Sequence, residues 1–116
     1  MSVEHRLVVY GSLAPGKSNH HMLADYPGTW TTGRVRGDLI NAGWGATGGF
    51  PGLVPRADGP WIPVRIFESA ALAHAWPKLD AFEGDDYQRV SIPVYAPSSE
   101  VLLFEADVYA VRPTRK

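Results

Sequence analysis

The chain has 116 residues, with 11 Lys or Arg against 12 Asp or Glu and a net charge of −1. That is one domain's length, without the excess positive charge that binding nucleic acid requires. The absence of cysteine excludes disulfides, thiol nucleophiles and thiolate metal sites. No apolar run nears the ~20 residues of a membrane span, and residues 1–6 are polar and charged, so the expectation is a cytoplasmic protein with no signal peptide, anchor or membrane partner.

Twelve glycines and ten prolines predict short strands joined by tight turns. Residues 6–10 form a continuous apolar run, the pattern of a central strand buried on both faces. Residues 16–26 leave room for a short helical piece that turns Met22 and Leu23 inward before Pro27 and Gly28 close it. Residues 30–40 alternate loosely and carry Gly33 and Gly37, as a strand with a bulge or a close backbone approach would. Residues 41–55 read as a glycine-rich loop whose Trp44, Phe50 and Leu53 would wall something in.

Residues 61–67 alternate again and lead into the main helical region, 69–82, with Ser69 as N-cap. Pro77 predicts a break there, giving a first helix to about Ala75 and a second with Pro77 in its first turn. Gly84 is the stop, and Asp85 and Asp86 are turn formers. Residues 88–95 and 101–111 read as a strand pair around Ala96, Pro97, Ser98 and Ser99. In the second, Leu102, Phe104, Ala106, Val108 and Ala110 share an apolar face opposite Glu105 and Asp107. The fold class is α+β, with five or six short strands in a mixed or closed sheet.

Two stretches carry chemistry. Residues 11–18 match Gly-x-x-x-x-Gly-Lys-Ser, the loop that cradles phosphate through Gly11, Gly16, Lys17 and Ser18. A nucleotide site also needs a sturdy helix after that loop and a Mg²⁺-binding Asp at the end of a parallel strand. Here Pro27 cuts the helix short and Asp107 sits mid-strand, so nucleotide binding is the lesser alternative. The second stretch is Leu79 to Gly84. On a helix, Glu83 falls four residues after Leu79 and seven after Trp76, on their apolar stripe, and in the last turn the macrodipole also disfavours its charge. Both effects oppose ionisation, the mark of a working carboxyl with a raised pKa. The bland alternative sends Glu83 to solvent. His20 and His21 are adjacent, which is not the spacing of two ligands on one helix face, and no metal site is expected.

Tyr10-Gly11-Ser12-Leu13 after a strand, followed by Leu79-Asp80-Ala81-Phe82-Glu83-Gly84 before Tyr87-Gln88-Arg89, resembles the γ-glutamylcyclotransferase-like family across nearly the whole chain. Gly16 with Asn19 and Leu23, and Gly49-Phe50-Pro51-Gly52-Leu53-Val54, fit the same pattern. Gly52 stands where Ala is commoner, and Ile62-Pro63-Val64-Arg65 replaces a Val-x-Gly strand entry. The resemblance implies a small, mostly antiparallel, barrel-like sheet flanked by short helices. It also implies a cavity where the Tyr10 to Leu13 turn faces Glu83.

A γ-glutamyl substrate carries its own α-amine nucleophile and γ-carbonyl electrophile, so its closure to 5-oxoproline needs no cofactor or metal. Glu83 would act as general base and then general acid. The backbone N–H groups of Gly11, Ser12 and Leu13 would hold a carboxylate or oxyanion. Tyr10 and Tyr87 would line the cavity with Phe50 at its mouth, although both tyrosines serve equally well as core aromatics. Arg89 is expected to pair with an acidic group. The identity of the leaving amine and the oligomeric state stay open, as does a non-catalytic binding role on the same scaffold.

Overall fold

The computed structural model describes residues 3–10, 21–24, 26–40 and 52–111. After a 3-10 turn at Val3–His5, strand β1 (Arg6–Val9) leads to a short helix α1 (His21–Ala24) and a long strand β2 (Thr29–Ile40). Then come β3 (Gly52–Pro55), β4 (Trp61–Glu68), helix α2 (Leu72–Glu83), β5 (Tyr87–Tyr95) and β6 (Leu102–Val111). The six strands form one sheet in the order β1-β4-β2-β3-β6-β5, which closes through the additional pairings β1–β6 and β2–β5. This is the predicted α+β architecture, a closed five-stranded barrel with one extra strand and flanking short helices.

Strand β1 occupies the centre because both of its edges are used. It runs antiparallel to β4, with Val8 opposite Ile66, and parallel to β6, with Val8 opposite Val108. Strand β3 meets β6 two residues further on, Leu53 opposite Ala110, so it continues the barrel wall where β1 ends. Alternation then sorts side chains between two cores. Val8, Val35, Leu53, Ile62, Val64, Ile66, Ile92, Val94, Ala106 and Val108 fill the barrel. Leu7, Val9, Phe67, Tyr87 and Tyr109 point outward and pack against Leu23 of α1 and Leu72, Ala75, Trp76 and Leu79 of α2. The inward turn of Leu23 and the two-faced burial of β1 follow the predicted pattern.

Four expectations need correction. Residues 52–55 form a strand, since β2 and β6 offer unpaired edges on either side of them. Helix α2 is continuous through Pro77. The carbonyl deprived of its donor there is that of Ala73, which lies with Pro77 on the exposed side of α2, where water can replace it. Burial of Leu72, Ala75, Trp76 and Leu79 holds the helix together across that point. The N-cap is Ala71, with no side-chain cap bond. Ser69 instead sits two residues ahead, accepting from the Ala71 N–H at 3.1 Å and donating its hydroxyl to the Pro27 carbonyl. Finally, β6 is half-buried only at its start; from Ala106 to Ala110 every residue is buried, because α2 covers the face expected to meet solvent.

Candidate active site

Helix α2 brings its last turn over the outward faces of β5 and β6. The apolar stripe of Leu72, Ala75, Trp76 and Leu79 continues into Glu83, which is buried at 7 % exposure. The helix ends where predicted: Gly84 has φ +76°, and its N–H closes on the Asp80 carbonyl at 3.0 Å. A left-handed residue is cheap only for glycine, so the chain reverses immediately after the glutamate and returns as Tyr87 of β5. Burial pushes the Glu83 carboxyl from its ordinary 4.5 up to about 7. The helix stripe thus predicted both the side chain's direction and the sign of its shift.

Three phenols gather around this carboxyl. Tyr10, at the exit of β1, feels both Glu83 and Tyr87 electrostatically, and Tyr109 of β6 also feels Glu83. The Tyr10 hydroxyl is committed to the main chain: it donates to the Tyr109 carbonyl at 2.6 Å and accepts from the Leu53 N–H at 3.0 Å. It therefore rivets the end of β1 to β3 and β6. Burial, the largest influence, pushes this phenol well above the usual tyrosine range, with Tyr87 and Glu83 adding to the rise and the Leu53 amide opposing it. Tyr87 is 7 % exposed. Gly11, Ser12, Leu13 and Phe50 lie outside the described residues, as do Gly16, Lys17 and Ser18 of the phosphate-loop match.

A polar cluster flanks the phenols. Arg89 of β5 grips Asp80 of α2 with two nitrogens, Nε to Oδ1 at 3.0 Å and a terminal nitrogen to Oδ2 at 3.3 Å, and reaches Asp107 at 3.3 Å. Its guanidinium lies 4.3 Å from the centre of the Trp76 ring, and the Tyr109 hydroxyl donates to Asp80 at 2.6 Å. Burial alone would lift Asp80. The hydrogen bonds from Arg89 and Tyr109, with the guanidinium's charge, together outweigh it and hold that carboxyl below its ordinary value.

Asp107, 8 % exposed, goes the other way because burial outweighs its single contact with Arg89. An aspartate buried mid-strand and ion-paired is a poor Mg²⁺ ligand, which weakens the nucleotide alternative. Among the described residues, no group of three or more His, Asp or Glu could hold a metal ion. A groove of about 490 Å³ runs beside the cluster, lined by Asp80, Gly84, Asp85, Gln88 and Arg89 together with Tyr87 and Tyr109.

The predicted pairing of Arg89 with an acid is present. Tyr109 was not predicted, because alternation assigned it to the face of Glu105 and Asp107 that was read as open to water. An aromatic residue on a face otherwise read as polar is the signal that would have marked it.

The Gamma-glutamyl cyclotransferase, AIG2-like family model matches residues 7–116. No curated protein matches the chain. Among solved structures, YkqA from Bacillus subtilis superposes with a TM-score of 0.68 at 26 % identity, covering 93 % of this chain and 36 % of that one. The chain therefore spans little more than a third of that relative. An aig2-like protein from Mus musculus gives 0.67 at 24 % identity, covering 92 % of this chain and 76 % of that one. Allophanate hydrolase from Kluyveromyces lactis gives 0.66 at 16 % identity, covering 92 % of this chain but 17 % of that one. The last two likenesses concern the fold. Among the described residues, no helix is long and apolar enough to cross a membrane.

Proposed function

The chain belongs to the gamma-glutamyl cyclotransferase, AIG2-like family, and from that premise we propose that it converts a γ-glutamyl amine or γ-glutamyl amino acid to 5-oxoproline and the free amine. The family supplies the cyclotransferase class and a small γ-glutamyl substrate; the product, the mechanism and a cytoplasmic setting are parts of the proposal. The observation that carries it is the burial of Glu83, with a carboxyl raised to about 7. An acid–base group works best when its pKa lies near the working pH, because it can then both take and return a proton.

In this reading, the substrate's α-ammonium binds near Glu83 and favours the carboxylate, which takes one proton. The free amine attacks the γ-carbonyl carbon, forming the ring C–N bond and placing negative charge on oxygen. Collapse of that tetrahedral species breaks the old amide C–N bond while Glu83 returns its proton to the departing nitrogen; the carboxylate then takes the second proton from the ring nitrogen and passes it to the released amine, which leaves as an ammonium. Protons and electron pairs balance without a further reactant. The backbone N–H groups of Gly11, Ser12 and Leu13 are proposed to hold the substrate's carboxylate or the oxyanion, with Phe50 at the mouth and Tyr87 as a wall. Tyr10 contributes position rather than proton transfer, since its hydroxyl is held by Leu53 and Tyr109.

The test is 5-oxoproline release from a panel of γ-glutamyl amines and amino acids, with Glu83→Gln as the comparison. The reading predicts that turnover falls at least ~100-fold in the variant while the fold persists. Because the free enzyme must hold Glu83 ionised to act as base, kcat/KM should rise with pH through an acid limb near the glutamate's value of about 7. A fully active Glu83→Gln variant, or a flat profile from pH 5 to 8, would refute it.

A further inference from the structure

The cluster outside the glutamate has more connections than an ordinary surface ion pair. Arg89 touches three side chains on two other elements: Asp80 and Trp76 from α2, and Asp107 from β6. Trp76 and Asp80 stand four residues, about one turn, apart on α2, and Glu83 follows three residues after Asp80. Arg89 thus holds the helix at two points immediately before the glutamate, and a planar fork suits this better than a flexible ammonium.

The charges point the same way. Asp80 and Glu83 stand three residues apart on a helix, where side chains are roughly 5–6 Å apart at Cβ. Two carboxylates at that spacing disfavour each other's ionisation. An uncompensated Asp80 would also compete for a substrate's ammonium. Among the described residues, Tyr10 at the end of β1 and Tyr109 on β6 couple to Glu83 and Tyr87 on β5 couples to Tyr10, while the charged groups packed about the same end of α2 are Asp80 on α2, Arg89 on β5, Asp107 on β6 and Glu4 of the 3-10 turn beside Asp107. Arg89 is the only cation in that set.

We infer that Arg89 is the positioning residue for Glu83, fixing the last turn of α2 through Asp80 and Trp76 and cancelling the charge of the second carboxylate on that turn. The inference rests on Glu83 being the working group of the proposed reaction. Arg89 touches no reacting atom and acts only through Asp80 and Trp76.

The decisive measurement needs no turnover: the Glu83 carboxyl is titrated by carbon-13 NMR in the ligand-free protein. Arg89→Met keeps an apolar stem over Trp76 but leaves Asp80 uncompensated, and should raise the Glu83 midpoint by roughly one pH unit. Asp80→Asn leaves the guanidinium in excess and should lower it by roughly half a unit. The double variant Arg89→Met/Asp80→Asn should return close to the parent. A purely structural clamp would move both single variants in the same direction and would not be restored in the double.

Shifts of opposite sign support the inference, and a midpoint unchanged in both single variants, or moved alike, overturns it. If Arg89→Met fails to fold, the sign of the shift in Asp80→Asn, an exposed position, decides alone. Where the parent releases 5-oxoproline, the acid limb of kcat/KM should move with the titration. A parent that releases none would sink the cyclotransferase reading and leave the titration result standing.

Discussion

Replacing Glu83 should make this protein more stable at alkaline pH. The carboxyl is raised from 4.5 to about 7 by burial, so the folded state binds its proton more tightly than the unfolded chain does. Between those two pH values the native state holds more protons, and stability therefore falls as pH rises. Below about 4.5 the glutamate is neutral in both states and costs nothing on this account; above about 7 the full penalty applies. Each tenfold difference in proton affinity is about 1.4 kcal/mol, which makes the penalty at pH 8 about 3 kcal/mol.

Glu83→Gln keeps the shape and removes the ionisation, while still burying a polar amide. The expectation is a gain of about 2–3 kcal/mol at pH 8 that shrinks to near zero at pH 4. Urea denaturation of parent and variant at pH 4, 6 and 8 measures it, and the difference at each pH cancels the histidines and the other carboxylates. Equal stability at pH 8, or a difference that does not change with pH, would show that the carboxyl is not desolvated as described. The same substitution is expected to abolish turnover, so a site that opposes folding would be the one that works.

Other perturbations follow from the packing. Tyr10→Phe removes one hydroxyl but strands two buried main-chain groups, the Leu53 N–H and the Tyr109 carbonyl. It should cost about 1–3 kcal/mol in urea denaturation, and an unchanged midpoint would mean the rivet is not structural. Gly84→Ala meets no atom within 4 Å but forces a φ of +76° on a residue with a Cβ. Thermal or urea unfolding should show a loss of about 1–2 kcal/mol; no loss would mean the helix can end in another conformation.

Legibility differed with the range of the interactions. The existence and order of the elements could be read locally: the apolar run at residues 6–10, the alternation through 61–67, and Gly84 as a stop all reflect periods of two or 3.6 and the conformational freedom of glycine. Pro77 misled because the broken hydrogen bond faces water and the buried side of α2 compensates. That balance depends on what α2 lies against. Residues 52–55 misled because their glycine-rich composition is that of a loop, while the edges of β2 and β6 that recruit them are far away in sequence.

Glu83 was legible because its misplacement is a local fact: an acid on an apolar stripe, at the wrong end of a helix dipole. Its surroundings were not. Tyr10, Tyr87 and Tyr109 meet at Glu83 only because closing the sheet lays β1 beside β6 and α2 across both. The sequence by itself determined the strand and helix periods, the helix stop and the direction in which Glu83 points. Only the tertiary structure decided that Asp107 and Tyr109 lie under α2, that the Tyr10 hydroxyl is taken by backbone, and that Arg89 bridges two elements. The physical reason is that periodicity sets which way a side chain faces, whereas closure of the barrel sets what stands opposite it.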